Sequence, residues 1–355
     1  MILTTRPPIR VGIVGLGRAG LEMHLPELLQ MPELFTVMAV CDPSKDRRDI
    51  VTEKLPECRT YRRYEDLLDD PDVELVDIAT RSDEHAQHTM QALKTRKWVN
   101  IERPFCCDYD EAMLLRACAI KAGNRLMVRH NYRYEPAYLQ VKEVVESGVL
   151  GEVYDIKMRR GTYDRRDDWQ AVKRCGGGAA LMWGTAFLDQ ALDIMKTPPI
   201  KVWADFKRVA AVGDAEDYVR IIMRNLAGLT VDLEISGGRI NTVPQFIVSG
   251  TKGEFTLYPE ASEGLIRRLD PKQKLTRRRS SVRTPPLGTG YGPTENLRWI
   301  EEKVPVAPQA ESGMTLIWEH VYNTIRENKP FPIPLDTAIE TMRILTLVKK
   351  ESPFA

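Results

Sequence analysis

One short segment constrains this chain more than any other. The apolar run Arg10–Gly15 (RVGIVG) reads as a buried strand, and it closes on Gly15-Leu16-Gly17-Arg18-Ala19-Gly20, which opens a helix read over Ala19–Met31. In a strand–turn–helix each glycine has its own task. Gly15 allows the tight turn, Gly17 lets the backbone approach a pyrophosphate, and Gly20 allows close helix–strand packing. The helix N-terminus beyond Arg18 and Ala19 offers unpaired N–H groups and a favourable dipole to phosphate. A second strand, Thr36–Cys41, ends at Asp42, about 20 residues downstream, where a carboxylate accepts from ribose hydroxyls. Strand, glycines, helix and acid together point to a nicotinamide dinucleotide. Asp42 favours NAD, because a carboxylate repels a 2′-phosphate; Ser44 and Lys45 leave NADP open.

The rest of the first third repeats the same alternation. Glu74–Ala79, Trp98–Glu102 and Arg125–Arg129 read as strands, and Tyr64–Asp69, Asp83–Lys94 and Tyr109–Ala122 as helices. Such βαβ units imply a parallel sheet covered on both faces. After Asn131 the pattern changes. Following a helix at Ala137–Ser147, the runs Glu152–Arg159, Lys201–Val209, Asp217–Met223, Thr230–Ser236 and Gln245–Ser249 alternate apolar and polar residues, as an antiparallel sheet with one wet face does. A helix at Ala179–Met195 interrupts them and another, Asp336–Lys350, closes the chain. The expected fold class is therefore α/β: a Rossmann dinucleotide-binding domain over residues 1–129, then an α+β domain over 130–355 with a large, mostly antiparallel open sheet. The last helix is expected to pack back on the first domain.

Lys plus Arg number 51 against 50 Asp plus Glu, which argues against a nucleic-acid binder. The basic stretch Arg267–Arg283 reads by default as a solvated loop, with a phosphate-binding patch as the lesser alternative. No apolar run is long enough to cross a membrane, and no secretory leader is apparent, so a soluble cytoplasmic protein is expected. The six cysteines lack metal or disulfide spacing, and no metal site is expected.

Over nearly its whole length the chain resembles the Gfo/Idh/MocA oxidoreductases. The glycine motif is followed by His24-Leu25-Pro26. Thr80-Arg81-Ser82-Asp83-Glu84-His85 matches a T-P-[NS]-x-x-H segment with arginine for proline, and Glu102-Arg103-Pro104 matches Glu-Lys-Pro with arginine for lysine. Asn131–Pro136, Trp169, Gly176–Ala179, Gly250–Glu254 and Pro330–Phe331–Pro332 match later features in order. The resemblance implies that Gly15, Gly17, Arg18, Ala19, Gly20 and Asp42 bind NAD or NADP. It also implies that Thr80, Ser82, His85, Glu102, Arg103 and Asn131 line the nicotinamide half. The substrate would be a carbohydrate-like small molecule, and the assembly a homodimer or homotetramer.

The catalytic positions depart from the family. Its helix reads about G-G-G-x-L-x-[DN]-x-G-x-H-x-x-D; here Gly184 and Asp189 align, but Met182 holds the polar position and Ala186 the histidine position. Arg103 can hold an oxygen but cannot shuttle a proton. The replacements sought are His130, at the domain junction, and Tyr163, in the loop before Trp169; Asp164, Asp167, Asp168 and Lys173 are further neighbours. His24 and His88 read as helix-surface or cap residues. Arg81, Arg103, Arg129 and Arg133 are expected to face the cleft or its rim, which suggests an anionic substrate such as a sugar acid. The reading is an NAD(P)-dependent oxidoreductase moving a hydride between a nicotinamide and a sugar-like or polyol hydroxyl or ketone. The alternatives are a dinucleotide-binding regulatory or scaffold protein, and an enzyme that uses tightly held NAD for net elimination, hydrolysis or epimerisation.

Overall fold

In the computed structural model, which describes residues 6–275, 277, 279, 282, 295–306, 313 and 315–354, the apolar runs near the N-terminus form one parallel sheet. Its strands are β1 (Ile9–Val14), β2 (Phe35–Cys41), β3 (Arg59–Tyr61), β4 (Leu75–Ile78), β5 (Trp98–Glu102) and β6 (Leu126–Arg129), in the order β3-β2-β1-β4-β5-β6. The helices between them are α1 (Leu25–Leu29), α2 (Lys45–Lys54), α3 (Tyr64–Leu68), α4 (Ser82–Lys94) and α5 (Tyr109–Lys121). Because every pairing is parallel, all carboxyl ends lie along one edge. The order reverses between β1 and β4, and that reversal opens a crevice where such sheets bind ligands. The expected helix after the glycines is broken in two: a wide helical turn covers Arg18–His24 before α1 begins at Leu25, where Pro26 suits a first turn.

A 3₁₀ turn at Asn131–Tyr134 and helix α6 (Pro136–Ser147) lead into the second sheet. It has eight strands: β7 (Val153–Gly161), β8 (Lys201–Lys207), β9 (Tyr218–Arg224), β10 (Thr230–Ser236), β11 (Phe246–Gly250), β12 (Gly253–Leu257), β13 (Glu263–Leu269) and β14 (Trp299–Pro305). All neighbours are antiparallel except β7 and β10. Alternate residues such as Ile156, Met158, Val219, Ile221, Val231 and Val248 are buried, and they share a core with Tyr138, Leu188 and Ala191 of α6 and α7 (Thr185–Met195). The basic stretch expected as a loop begins inside β13. Arg267 and Arg268 face Glu301 and Glu302 of β14 at 3.6 and 3.3 Å, so cross-strand charge pairing supports a strand that its composition hides; much of the remainder to Arg283 lies outside the described residues.

Two late helices tie the halves together. Ile317, Trp318 and Val321 of α8 (Leu316–Glu327) pack into the core of the first sheet beside Ile9, Val11 and Ile13. Helix α9 (Leu335–Lys350) lies against both α5 and α7. Among the described residues no helix is long and apolar enough to cross a membrane.

Candidate functional site

The crevice at the carboxyl edge is assembled from five strand ends. Gly15 follows β1, Asp42 follows β2, Thr80 and Ser82 follow β4, Glu102 and Arg103 end β5, and His130 and Asn131 follow β6. At Gly15 φ is +89°, and a Cβ would stand 2.7 Å from the Ala79 carbonyl oxygen; at Gly20 a Cβ would stand 2.0 Å from the Gly15 oxygen. Both positions are closed to a side chain by the protein itself. Gly17 differs: its φ is negative, and a Cβ there would meet nothing within 4 Å. Its missing side chain leaves room for something other than protein. Asp42 is buried and braces this loop, accepting from Leu16 N and Ser44 N at 2.8 Å each, and its remaining lone pairs are free for hydroxyls. Asn131 Oδ1 is buried without a hydrogen-bond partner. A cradle with open space at Gly17, an anchored acid and an orphaned amide oxygen across the crevice fits a dinucleotide.

Beneath the crevice lies a buried charge network that the sequence did not disclose. His24, read as a surface or cap residue, is fully buried: Nδ1 is 2.7 Å from Asp77 and Nε2 is 3.3 Å from Glu102. Carboxylates only accept, so both ring nitrogens carry protons and the ring is an imidazolium. Burial, the largest influence, opposes the charge and Arg129 adds to that, but the charge and hydrogen bond of Asp77 with the hydrogen bond of Glu102 together outweigh both, and the pKa rises to about 9. For Glu102 burial acts upward, yet the hydrogen bond and charge of His24, with Arg103 and Arg129, bring the pKa down to about 2. Asn100 Nδ2 donates to Asp77 at 2.7 Å; Arg129, wholly buried, donates to Glu27 at 2.6 Å and lies 3.3 Å from Glu102; Trp318 Nε1 also donates to Glu27 at 2.7 Å.

The sign of the pH dependence follows. The pKa of His24 is higher in the folded state than the ordinary 6.5, so its contribution is complete below about 6.5 and is lost as pH rises through about 9. Glu102 contributes fully above its ordinary value and is lost only as pH falls through about 2. We expect the unfolding free energy from urea titrations to fall between pH 7 and pH 9.5, at up to about 1.4 kcal/mol per pH unit from this one proton. His24→Gln is expected to flatten that slope; an unchanged slope in the variant would reject the imidazolium.

Arg103 sits at the mouth of this network. Its guanidinium donates to the Met182 carbonyl and lies 4.8 Å from the Tyr132 ring centroid and 5.0 Å from that of Trp183. It packs against both aromatic rings, which meet each other edge-on, and is aimed at the wide helical turn Ala180–Gly184 that carries Met182. Ala186 is buried and offers no proton. His130 is 2% exposed, and neither ring nitrogen has a hydrogen-bond partner. Burial pushes its pKa below the usual histidine range, with Asp189, Arg133, Arg103 and Glu102 as the charges it feels. Tyr163 is 60% exposed and bridges Gly238; its neighbours Thr162 and Asp164 line the adjoining cleft, so the tyrosine points the other way.

His85 is tied to the Pro104 carbonyl at 2.6 Å and lies 3.0 Å from that of Thr80, joining the β4 and β5 loops. His88, read as a surface residue, is instead partly buried and hydrogen-bonded to Thr80 Oγ1 at 3.1 Å. The arginine reading also needs correction. Arg129 is consumed by Glu27 and Glu102. Arg133 grips Asp189 through two bonds at 2.7 and 2.9 Å, and Arg81 pairs with Glu84 at 3.0 Å. Arg160, which the sequence reading passed over, has no carboxylate partner among the described residues and lies over the Trp183 ring instead. The only available signal was its parity with the buried Ile156 and Met158 on one strand.

Two family models match: residues 9–130 match an oxidoreductase family with an NAD-binding Rossmann fold, and residues 138–256 match the GFO/IDH/MocA C-terminal domain. Oxidoreductase C115.03 of Schizosaccharomyces pombe, itself uncharacterised, is 28% identical over 263 residues, 70% of each chain. The NADP(+)-dependent scyllo-inositol 2-dehydrogenase IolW of Bacillus subtilis is 23% identical over 97% of this chain and 94% of its own. The solved Bacillus subtilis protein YvaA superposes with a TM-score of 0.82 at 20% identity, over 98% of this chain and 97% of that one, a likeness of fold.

Proposed function

The chain belongs to the Gfo/Idh/MocA family and is an NAD(P)-dependent oxidoreductase; from that premise we propose that it interconverts a ring or chain hydroxyl of a polyhydroxylated, carbohydrate-like substrate with the ketone, using His130 to move the proton. The observation that carries this reading is the pair of unpartnered nitrogens on a buried His130 at the end of β6, on the crevice edge shared with Arg103. Support for the substrate class comes from the relative named as a scyllo-inositol dehydrogenase and from the aromatic and arginine lining of the crevice.

Gly15, Gly17, Arg18, Ala19, Gly20 and Asp42 would hold the dinucleotide's pyrophosphate and ribose, with Thr80, Ser82, His85, Glu102 and Asn131 toward its other end. Bound there, the nicotinamide supplies the acceptor or donor of a hydride. The protein's part is to hold and to protonate. Arg103, always charged and fixed by Tyr132, Trp183 and the Met182 carbonyl, steadies the reacting oxygen as negative charge grows on it. The neutral His130 ring accepts the hydroxyl proton in the oxidising direction and returns it in the reducing one. Arg47, 3.6 Å from Asp42, and Arg48, which donates to the Asp42 carbonyl at 2.5 Å, offer cations to a 2′-phosphate, so NADP is supported beside NAD.

The test is a titration with NADH and NADPH, read by energy transfer from tryptophan, on wild type and Gly17→Val. Because a Cβ at Gly17 meets no protein atom within 4 Å, the variant should melt within about 2 °C of wild type. It should bind either cofactor at least ~10-fold more weakly, about 1.4 kcal/mol. Equal binding by the variant would remove the cradle from the cofactor site. Binding by wild type without turnover of inositols, sugars or sugar acids would favour a regulatory role.

A further inference from the structure

Next to the crevice lies a cleft of about 600 Å³, counting its open mouth, between the end of β7, the glycine run and the start of β9. Met182 and Trp183, which hold Arg103, form one wall, so cleft and crevice share it. Arg160 stands at one end. On β7 it has the parity of Ile156 and Met158, so it points to the core side of the sheet, but it lies past the edge of the apolar core. Its guanidinium lies 3.6 Å from the Trp183 ring centroid, while water still reaches it through the mouth. Stacking uses the flat face of the guanidinium and leaves its N–H edges free. No carboxylate among the described residues pairs with it. Its neighbour Arg159, on the other face, is 3.6 Å from Glu234, and the acid whose charge it feels, Glu135, is occupied by Gln190 and Gln245, each at 3.4 Å.

Glu216 lines the same cleft and its side chain is fully buried. Oε1 accepts from Ala180 N at 3.2 Å and lies 3.6 Å from Lys349, but Oε2 has no partner. An ionised carboxylate oxygen can be satisfied only by a donor, and burying it unpaired is costly. The other charges lining the cleft are spent or open to water. Asp217 accepts from three backbone N–H groups, those of Val209, Ala210 and Ala211, at 2.6 to 2.7 Å; Arg166 pairs with Asp168 at 3.0 Å; Asp164 is solvent-exposed. The cleft therefore asks for an anion at Arg160 and an O–H donor at Glu216.

We propose that this cleft is a subsite for the carboxylate-bearing end of a hydroxylated acid, a sugar acid or uronate, with Arg160 taking the carboxylate and Glu216 Oε2 accepting from a hydroxyl. The assignment rests on the proposed function, since it puts the charge of the same substrate beside the wall that holds Arg103. A neutral sugar leaves Arg160 unpaired, and a simple anion leaves Glu216 unpaired, so both groups select.

Calorimetric titration with D-glucuronate and D-gluconate, against D-glucose, myo-inositol and acetate, tests this, with and without saturating NADH. Wild type should bind at least one hydroxy acid ten-fold or more tightly than every control. Arg160→Gln should lose ten-fold or more of that affinity, Arg160→Lys should recover part of it, and both should bind NADH as wild type does. Equal binding of acids and neutral compounds, no binding of either acid, or full acid binding by Arg160→Gln would overturn the subsite. Failure of wild type to bind NADH is separate: it rejects the cofactor reading, while the acid titration without NADH still decides the subsite.

Discussion

Replacing His130 by alanine should lower kcat by about 10²–10⁴-fold while NADH binding stays within about two-fold of wild type, the range typical for loss of a general acid–base. The expectation rests on exclusion as well as geometry. Arg103 cannot release a proton, and Met182 and Ala186 have none to give. His130 is buried with both nitrogens unpartnered, so truncating it breaks no protein hydrogen bond of its ring. Two further readouts separate a proton carrier from a packing residue. Imidazole added at millimolar concentration should restore part of the activity of His130→Ala. The pH profile should also be asymmetric. Burial lowers the pKa of His130 below the ordinary 6.5, so oxidation, which needs the neutral ring, should be flat through neutral pH and decline only below it. Reduction, which needs the imidazolium, should rise as pH falls. Full activity in the alanine variant would send the search for the proton carrier elsewhere.

Replacing Arg129 by leucine should cost about 3–5 kcal/mol of folding stability, the usual penalty for removing one partner of a buried ion pair. The side chain is wholly buried, so in the intact protein its carboxylate contacts are not shared with water. Its loss leaves Glu27 and Glu102 facing each other's charge with only His24 and Arg103 to offset them. Arg129→Lys should restore little, because one ammonium cannot span both carboxylates while lying 4.8 Å from the Trp318 ring centroid. Adding Glu27→Gln to Arg129→Leu should recover part of the loss, since an amide oxygen still accepts from Trp318 and one stranded charge disappears. Chemical denaturation of wild type, Arg129→Leu, Glu27→Gln and the double variant gives the cycle. A cost below about 1 kcal/mol for Arg129→Leu would mean that water enters the network on mutation. The network also bears on the site, because Glu102 and Arg103 are consecutive: whatever fixes Glu102 against His24 and Arg129 fixes the backbone from which Arg103 reaches Met182.

The first sheet was readable because its strands are buried on both faces. Continuous apolar runs such as Val11–Val14 and Leu75–Ile78 admit few alternatives, and the glycine spacing marks where the first of them turns. Polar edges and short elements were not readable in the same way. Helix α2 (KDRRDIVTEK) buries only Val51, and β14 (WIEEKVP) buries none of its residues, so neither has a period for the sequence to show. Strand β13 looked like a basic loop because its partner acids lie more than thirty residues away, across the sheet.

The amino-acid sequence by itself determined the cofactor half of this protein: a parallel sheet, a glycine turn that a side chain would block at Gly15 and Gly20, and an acid at the end of the next strand. Their signals in the sequence are local: apolar runs, the glycine spacing, and an acid at the end of the next strand. Which charges are free was decided only by the tertiary structure. Nothing along the chain separates Arg129 and Arg133 from Arg160, yet the first two are neutralised by carboxylates from distant helices and Arg160 is left against an aromatic ring with no carboxylate partner among the described residues. His24 likewise became an imidazolium only when Asp77 and Glu102 closed on it from neighbouring strands. Charge depends on burial and on partners within a few ångströms, and those partners are brought together by the packing of the chain, not by its order.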